Sequence, residues 1–291
     1  MTATATQPMT TQPMTTQPMT TQPMTTQPIG ALVRSWRERR RRSQLDVAIA
    51  ADLSTRHLSY IETGRSNPSR DMIERLCEEL EVPLRERNAF YLAAGFAPVH
   101  AERAFTHLGA AHDAVRAVLN GHEPNPSLAV NVRWELLAAN HSMAAFLADI
   151  PAELKRPPVN ILRATLHPDG LAPRILNLTQ WRAHVLRRVR RQLDRTAAEG
   201  LAELLAELTS YPVPAGLVDD GDDSTSNNLV VPMRLRTDAG ELALFYASTV
   251  FGSPRDVTLD EIAVETFFPA DAATASALRA IGGADRGAAT G

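Results

Sequence analysis

Residues 43–67, with the sequence SQLDVAIAADLSTRHLSYIETGRSN, decide the fold of the N-terminal part of the chain. Ser43 and Ser54 each precede a short run with helical apolar spacing. Serine at this position caps a helix by accepting a hydrogen bond from its first turn. The two predicted helices are separated by a tight turn at Asp52-Leu53. Two short helices joined in this way are typical of a helix-turn-helix unit, whose second helix can enter the DNA major groove.

The helical pattern continues on both sides of this unit and predicts a compact all-α domain over residues 29–98. An arginine-rich helix begins near Leu32, where the spacing of Leu32, Val33 and Trp36 places apolar side chains on one face. Pro83 begins the last helix, which Gly95 ends. The other predicted helices cover residues 43–51, 54–64, 70–80 and 84–94. Five short helices with short connections therefore form the first domain.

Helix geometry assigns two faces to the second helix of the motif. Leu58 and Ile61 are apolar and three residues apart, so they are expected to pack inward. Arg56 lies on the opposite face, where its donor fork would match the two acceptors of guanine. Thr55, Ser59 and Tyr60 share that outward face, and partial burial is the alternative for Tyr60.

These residues resemble the XRE family of lambda-repressor-like helix-turn-helix proteins. The matching positions are Ser43-Gln44, Val47-Ala48, Ala51, Ser54, Leu58, Ile61, Glu62-Thr63-Gly64-Arg65 and Pro68-Ser69. The resemblance implies that Thr55, Arg56 and Tyr60 read bases and that Gln44 contacts a backbone phosphate. It also pairs Glu62 with Arg37 in a structural salt bridge. Asp52 stands where the family has a left-handed glycine, a conformation that aspartate tolerates better than most residues.

The DNA-binding candidates combine the outward face of this helix with the basic run before the motif. They are Gln44, Thr55, Arg56, Ser59, Tyr60, Arg65, Arg40 and Arg41. Residues 30–91 contain 12 arginines and 10 acidic residues, whereas the whole chain has a net charge of −3. A basic N-terminal region on an otherwise acidic chain indicates that the N-terminal region binds a polyanion. For the run 39–42, both a solvated charged face and a phosphate contact stay open.

The ends of the chain and the segment between the domains have different compositions. Residues 1–28 repeat a five-residue unit in which Gln-Pro alternates with Met-Thr-Thr. A proline at every fifth position is incompatible with a helix, so we predict a disordered tail with polyproline II character. Residues 99–125 are predicted to form a linker with a helix over 108–120. Residues 284–291 are predicted to be a second disordered tail.

Residues 126–283 alternate short strand patterns with helical patterns. The strands are predicted over residues 127–132, 134–138, 229–236, 241–251 and 261–268, with a hairpin turn at 238–240. The helices are predicted after Asn140 and over residues 159–165, 174–195 and 201–208. An acidic loop is predicted over 218–228. The chain is thus mainly α, with an α+β second domain that contains an antiparallel sheet.

The chain beyond residue 30 also resembles the MmyB-like regulators. The resemblance is carried by residues 83–88, 92–98, 134–140, 160–162, 167–168, 249–259 and 265–271. It implies a PAS-like second domain that senses a small, largely apolar ligand such as a fatty acid.

Apolar residues expected to point between the helices and the sheet are the candidates for a ligand pocket. They are Trp134, Leu136, Phe146, Leu162, Trp181, Val185, Phe245 and Tyr246. Ordinary core packing is the alternative for each of them. The arginines 187, 188, 190 and 191 of the long helix predict a solvated face, with a carboxylate or other anion as the alternative partner.

The sequence excludes several functional classes. Cys77 is the only cysteine, so neither an intrachain disulfide nor a cysteine-based zinc site can form. No metal-ligand spacing, phosphate loop or nucleophile elbow is present, so we expect no catalytic residues, metal or cofactor. No apolar run reaches the ~20 residues that a membrane helix needs. A cytoplasmic protein that does not enter a membrane is therefore expected.

Taken together, these patterns predict a bacterial transcription regulator that binds double-stranded DNA as a homodimer. Two alternatives stay open. One is a repressor or antitoxin-like protein whose second domain only mediates protein–protein contact. The other is an enzyme with a DNA-binding appendage, which would use groups such as His167, Asp169 or His184.

Overall fold

The computed structural model describes residues 27–148, 150–212 and 231–288. The N-terminal domain consists of the five predicted helices. They are α1 (Ile29–Arg39), α2 (Gln44–Ala50), α3 (Thr55–Glu62), α4 (Arg70–Glu79) and α5 (Leu84–Ala93). α1 begins before Leu32, because Pro28 can occupy the position before the first helical turn.

Side-chain caps and one left-handed residue define the helix-turn-helix unit. Ser43 and Asp46 form a reciprocal capping box, in which Ser43 Oγ accepts from Asp46 N at 3.1 Å and Asp46 Oδ2 accepts from Ser43 N at 3.0 Å. Ser54 Oγ accepts from His57 N at 3.1 Å at the start of α3. Asp52 has a φ of +53°, so aspartate adopts the left-handed conformation that the turn requires.

All five helices contribute buried side chains to the core of the first domain. Val33, Leu58, Ile61 and Phe90 are fully buried in it. Gly30 permits the close approach of α1 to α3, since a Cβ at this position would lie 2.4 Å from the Ile61 carbonyl oxygen. The orientation of α3 is thus set by packing against the first helix.

The second domain contains a five-stranded antiparallel sheet in the order β2-β1-β5-β4-β3. Its strands are β1 (Ser127–Val130), β2 (Leu136–Ala139), β3 (Met233–Thr237), β4 (Gly240–Val250) and β5 (Ala263–Pro269). β3 and β4 form the predicted hairpin. The α+β fold class with an antiparallel sheet is confirmed.

Helices cover both faces of this sheet. They are α6 (Ala110–Gly121), α7 (His141–Ala148), α8 (Ile161–Leu166), α9 (Leu178–Thr196), α10 (Leu201–Ser210), α11 (Val257–Asp260) and α12 (Ala272–Ala288). α6 packs Val115 and Leu119 against Ala129 and Val264 on one face. The other face carries the main core, where Leu128 and Val130 meet α7–α10 and α12. Alternation along β1 therefore separates two hydrophobic layers.

The main differences between the structure and the sequence-based prediction concern four helices. α9 begins at Leu178, later than residue 174, because the preceding segment pairs with β3 through an isolated bridge between Ile175 and Leu235. α6 lies in the predicted linker, yet it packs on the sheet. α11 and α12 have no counterpart in the prediction. Asp271 caps α12 by accepting from Thr274 N at 2.7 Å, and the alanine-rich sequence that follows is a strong helix former.

Some predicted segments lie outside the described residues. They are residues 1–26 of the N-terminal repeat, the acidic loop 218–228 and residues 229–230 of the third predicted strand. At the C-terminus α12 ends at Ala288, beyond the predicted boundary at residue 283.

Candidate DNA interface and interior cavity

The outward face of α3 carries the candidate base-reading residues. Arg56 is exposed, whereas Thr55, Ser59 and Tyr60 are half-buried and Leu58 faces the core. Arg56 Nε donates to the Tyr60 hydroxyl at 2.8 Å, and its guanidinium lies 5.3 Å from the centre of the Tyr60 ring. Because the two residues are one helical turn apart, this contact holds Arg56 against the surface of the helix.

Arg65 lies at the other end of this face. It is exposed, and its guanidinium lies 5.9 Å from the centre of the Tyr60 ring. Tyr60 therefore stands between two arginines that can turn toward a polyanion.

A buried carboxylate ties the motif to α1. Arg37 Nε donates to Glu62 Oε1 at 2.7 Å and Arg37 Nη2 donates to Glu62 Oε2 at 3.0 Å. Gln44 Nε2 donates to Glu62 Oε2 at 2.8 Å, and Arg34 Nε lies 3.5 Å from the same oxygen. Burial raises the pKa of Glu62, but the hydrogen bonds from Arg37 and Gln44 outweigh it and hold this pKa below its usual value. The salt bridge orients α1, α2 and α3 together.

The arginines at positions 40–42, which follow α1, differ in their contacts within the protein. Arg40 Nε donates to the Leu80 carbonyl oxygen at 2.8 Å, and its Nη2 donates to those of Glu81 at 2.8 Å and Arg195 at 3.1 Å. Burial lowers the pKa of Arg40. Arg42 donates to the Glu79 carbonyl oxygen at 2.8 Å. Arg41 is exposed. Of the two predicted phosphate contacts, Arg41 lies on the surface and Arg40 is bound to backbone carbonyls.

An apolar cavity lies between the sheet and the helices of the second domain, with a volume of about 70 Å³. Six of the eight predicted pocket residues line it. They are Trp134, Phe146, Leu162, Trp181, Val185 and Tyr246. The other two do not. Phe245 stacks on Phe268 on the opposite face of β4, because neighbouring strand residues point to opposite sides. Leu136 packs against the same core without reaching the cavity.

The sequence matches two known families. Residues 28–90 match a helix-turn-helix domain, and residues 111–281 match the MmyB-like transcription regulator ligand-binding domain. The second match covers more than half of the chain. The chain belongs to the MmyB-like transcription regulators. No curated protein matches it significantly. Both families are those of regulators, so this MmyB-like regulator binds DNA and carries a ligand-binding domain.

One side of the regulator's cavity carries charged groups, whose position at the cavity the sequence-based prediction missed. Arg188 Nη1 and Nη2 donate to the two carboxylate oxygens of Glu265 at 2.7 and 2.5 Å. The Arg188 guanidinium lies between two rings, 4.5 Å from the centre of Trp134 and 4.8 Å from that of Tyr246. Burial would lower the pKa of Arg188, but Glu265 outweighs it and raises this pKa. Arg188 is therefore not part of a solvated face, and the alternative of a carboxylate partner holds at this position.

His184 also lines the cavity. Its Nε2 lies 2.7 Å from the Tyr246 hydroxyl, and its ring stacks on Trp181 with 5.5 Å between the centres. Burial, followed by the neighbouring arginines, lowers the pKa of His184. The sequence signal that could have revealed this charged side of the cavity is Glu265, an acidic residue among the apolar residues of a strand.

Contacts between the two domains of the regulator involve the end of α9. Arg39 Nη1 donates to the carbonyl oxygens of Leu193 at 3.0 Å and Asp194 at 3.3 Å. A second contact joins Arg85 Nε to Glu261 Oε1 at 2.6 Å, next to β5. Arginine is well suited to the carbonyls at a helix C-terminus, where the helix dipole is negative. These contacts attach the DNA-binding domain to the elements that form the cavity.

Within the three described ranges, no group of three or more His, Cys, Asp and Glu side chains could hold a metal ion. His167 and Asp169 lie in a turn, where Asp169 N donates to His167 Nδ1 at 3.1 Å. Among the helices of the described residues, none is both long and apolar enough to cross a membrane.

Proposed function

We propose that this regulator reads a specific operator in the major groove with α3 and changes its DNA affinity when a small apolar molecule occupies the cavity. The observation that carries this proposal is the course of α9. Trp181, Val185 and Arg188 in its first part line the cavity, and its last residues meet Arg39 and Arg40 of the DNA-binding domain. One rigid element thus connects the two proposed sites.

The exposed face of α3 supports base reading. Thr55 and Arg56 occupy the first turn of the helix, which is the part that reaches base edges in helix-turn-helix proteins. Arg56 is suited to guanine through two parallel hydrogen bonds. Tyr60, Ser59 and Arg65 complete the surface. Gln44 at the start of α2 could meet a phosphate, although its amide donates to Glu62 in the free protein.

The cavity supports sensing of a largely apolar molecule. Most of its lining is formed by aliphatic and aromatic side chains, which favour a fatty-acid-like chain through burial of apolar surface. A ligand that pushes against Trp181 or Arg188 would shift α9 and change how its carbonyls hold Arg39 and Arg40. The coupling free energy equals the difference in ligand affinity between the two arrangements.

We further propose that the regulator acts as a homodimer in the bacterial cytoplasm, where the chromosome is accessible. A dimer of helix-turn-helix domains presents two recognition helices to half-sites about one helical turn apart. Linking the two contacts greatly increases the effective affinity for the operator.

Selection of duplex DNA from a random pool by the full chain tests this function. We expect enrichment of one sequence with two inverted half-sites whose centres are about 10 base pairs, or a multiple of that, apart. Light scattering on the complex should then give two chains per duplex. Failure to enrich any sequence would contradict the DNA-reading proposal, whereas enrichment of one half-site bound by one chain would contradict only the homodimer.

Arg41→Asn is expected to weaken binding to operator DNA and to random DNA by similar factors. It should also reduce the slope of log affinity against log salt concentration by roughly one unit per bound subunit. Arg41 is exposed and carries a phosphate contact in our proposal. Asparagine is chosen because it tolerates the left-handed φ of +53° at this position. The measurement is affinity across a salt series.

Arg40→Gln is the matched control for Arg41→Asn, because the donors of Arg40 are bound to backbone carbonyls within the protein. We expect its salt slope to equal that of the parent chain. A reduced slope for Arg40→Gln alone would reverse the two assignments.

A further inference from the structure

A cleft lined by arginines lies between the DNA-binding domain and the second domain. The end of α1 and the residues that follow it form one wall, and the last turns of α9 form the other. Two acidic residues, Glu38 and Asp194, also line this arginine cleft, so positive charge is in excess there. The whole chain, by contrast, has a net charge of −3. The arginines of the cleft are Arg39, Arg40, Arg41, Arg191 and Arg195.

Arg39 and Arg40 hold the two walls of the cleft together. Arg39 Nη1 donates to the carbonyl oxygens of Leu193 and Asp194, and Arg40 Nη2 donates to that of Arg195 at 3.1 Å. Backbone carbonyls carry no net charge, so these bonds join the domains without neutralising either guanidinium. The nearest carboxylate to Arg40, that of Glu81, lies 3.9 Å away.

The other three arginines of the cleft are free to meet a partner. Arg41, Arg191 and Arg195 are all exposed. Within the part of the chain that the structure describes, their side chains make no hydrogen bond or ion pair. Like charges held this close together repel one another, so the cleft is electrostatically suited to an anionic partner.

Arg191 and Arg195 differ from the remaining arginines in the second half of α9. They are one helical turn apart, so their side chains share one face of the helix. Arg190 is also exposed, but it lies on another face and does not line the cleft. Arg188 is bound to Glu265 at the apolar cavity. Only one of the arginine faces of α9 therefore adjoins the DNA-binding domain.

We infer that Arg191 and Arg195 bind phosphate groups of the DNA backbone beside the phosphate that Arg41 contacts, so that the second domain forms part of the DNA interface. This inference rests on the proposed DNA-reading function, because it extends the same interface. Arginine donors match phosphate oxygens in charge and geometry. A DNA strand carries a phosphate about every 3.4 Å of helix axis, so two side chains about 5–6 Å apart can each reach one.

The arrangement of the free arginines favours duplex DNA over a small free anion. Arg41, Arg191 and Arg195 come from two domains and lie open to solvent. Such an exposed strip suits a backbone that passes over the surface. It is also continuous with Arg41, which precedes the helix-turn-helix motif. A ligand in the apolar cavity that shifts α9 would then move two phosphate contacts directly.

Arg191→Gln and Arg195→Gln test the inference in the full chain. The measurement is affinity for the selected operator and for random DNA across a salt series. Each variant should weaken binding to both DNAs by similar factors, because phosphates carry no sequence information. Each should also reduce the slope of log affinity against log salt concentration by roughly one unit per bound subunit.

Arg190→Gln is the matched control, because it removes one exposed positive charge from the same helix outside the cleft. Its slope should equal that of the parent chain. A reduction as large as that of the two cleft variants would reveal a general effect of net charge and overturn the inference.

Ethylation interference locates the contacted phosphates. Ethylation removes the charge of one phosphate at a time, and the parent chain should be sensitive to it at the phosphates that α9 contacts. Arg195→Gln should lose this sensitivity at one phosphate in each half-site and keep it elsewhere. A purely structural effect of the substitution would not remove the sensitivity at a single phosphate.

Each contrary result has a separate meaning. Unchanged slopes and interference patterns in both cleft variants would overturn the inference and leave base reading by α3 intact. Calorimetry with tripolyphosphate tests a free anion as the occupant. Binding that is lost in Arg195→Gln, together with an unchanged DNA slope, would overturn DNA as the partner. Absence of DNA binding by the parent chain would overturn the proposed function, and the inference with it.

Discussion

Glu62→Ala is expected to destabilise the N-terminal domain by about 3–5 kcal/mol, the usual cost of leaving one partner of a buried ion pair alone. The Glu62 side chain is fully buried, and Arg37 beside it is 13% exposed. Removal of the carboxylate would leave the Arg37 guanidinium and the Gln44 amide without their acceptor. Urea denaturation of the full chain measures the loss, and hydrogen exchange of peptides from residues 29–95 assigns it to this domain.

Glu38→Ala is the matched control for Glu62→Ala, because Glu38 also lies near Arg37, at 3.9 Å, but is 63% exposed. Its effect should stay within about 0.5 kcal/mol. The double variant Arg37→Ala/Glu62→Ala should lose less than the sum of the single variants, because the two side chains interact. Additive losses would contradict the assigned ion pair.

The same pair gives the domain a defined dependence on acid. The pKa of Glu62 in the folded protein lies below its usual value, so the unfolded chain binds the proton more readily. The stabilisation is therefore fully present above the unfolded pKa and is lost as the pH falls through the lower folded pKa. Glu62→Gln should remove this part of the pH dependence. An unchanged acid profile in that variant would show that other carboxylates dominate.

Arg56→Ala is expected to weaken operator binding by about 1–3 kcal/mol, which is roughly 5- to 150-fold, and to relax preference at one base position. Arg56 is exposed in the first turn of α3, and its hydrogen bond to Tyr60 holds it on the proposed DNA-facing surface. Loss of two parallel hydrogen bonds to guanine accounts for the effect. Affinities for the operator and for each variant base at that position provide the measurement.

Arg56→Lys separates base reading from charge. Lysine keeps the positive charge but lacks the planar donor fork. It should therefore retain binding to random DNA and lose most of the preference for guanine. If Arg56→Ala weakened binding to operator DNA and to random DNA equally, Arg56 would be a phosphate contact. Its assignment to base reading would then be contradicted.

Local sequence signals were sufficient for the helix-turn-helix domain. The caps at Ser43 and Ser54, the tolerated left-handed Asp52 and the apolar spacing of Leu58 and Ile61 all act within a few residues. Such signals do not depend on the rest of the fold, so the five helices and the inward face of α3 could be predicted. The strand alternation in the second domain likewise predicted its antiparallel sheet.

Helix boundaries and side-chain orientations were harder to predict from the sequence. The start of α9 depends on pairing between Ile175 and Leu235, which are far apart in the chain. Phe245 and Tyr246 are both aromatic, and only the register of β4 decides which one faces the cavity. α12 was missed because an alanine-rich segment has little apolar periodicity, although Asp271 could have indicated its start.

The sequence by itself determined that this chain has a helix-turn-helix domain whose second motif helix carries an arginine on its outward face, followed by an α+β domain with an apolar core. Helix caps and apolar periodicity encode these features locally. Only the tertiary structure decided that Arg40 meets the end of α9 and that Arg188 is neutralised by Glu265. The hydrogen-bond partner of a polar group depends on which distant segment of the chain packs beside it. Local sequence patterns therefore do not predict these partners.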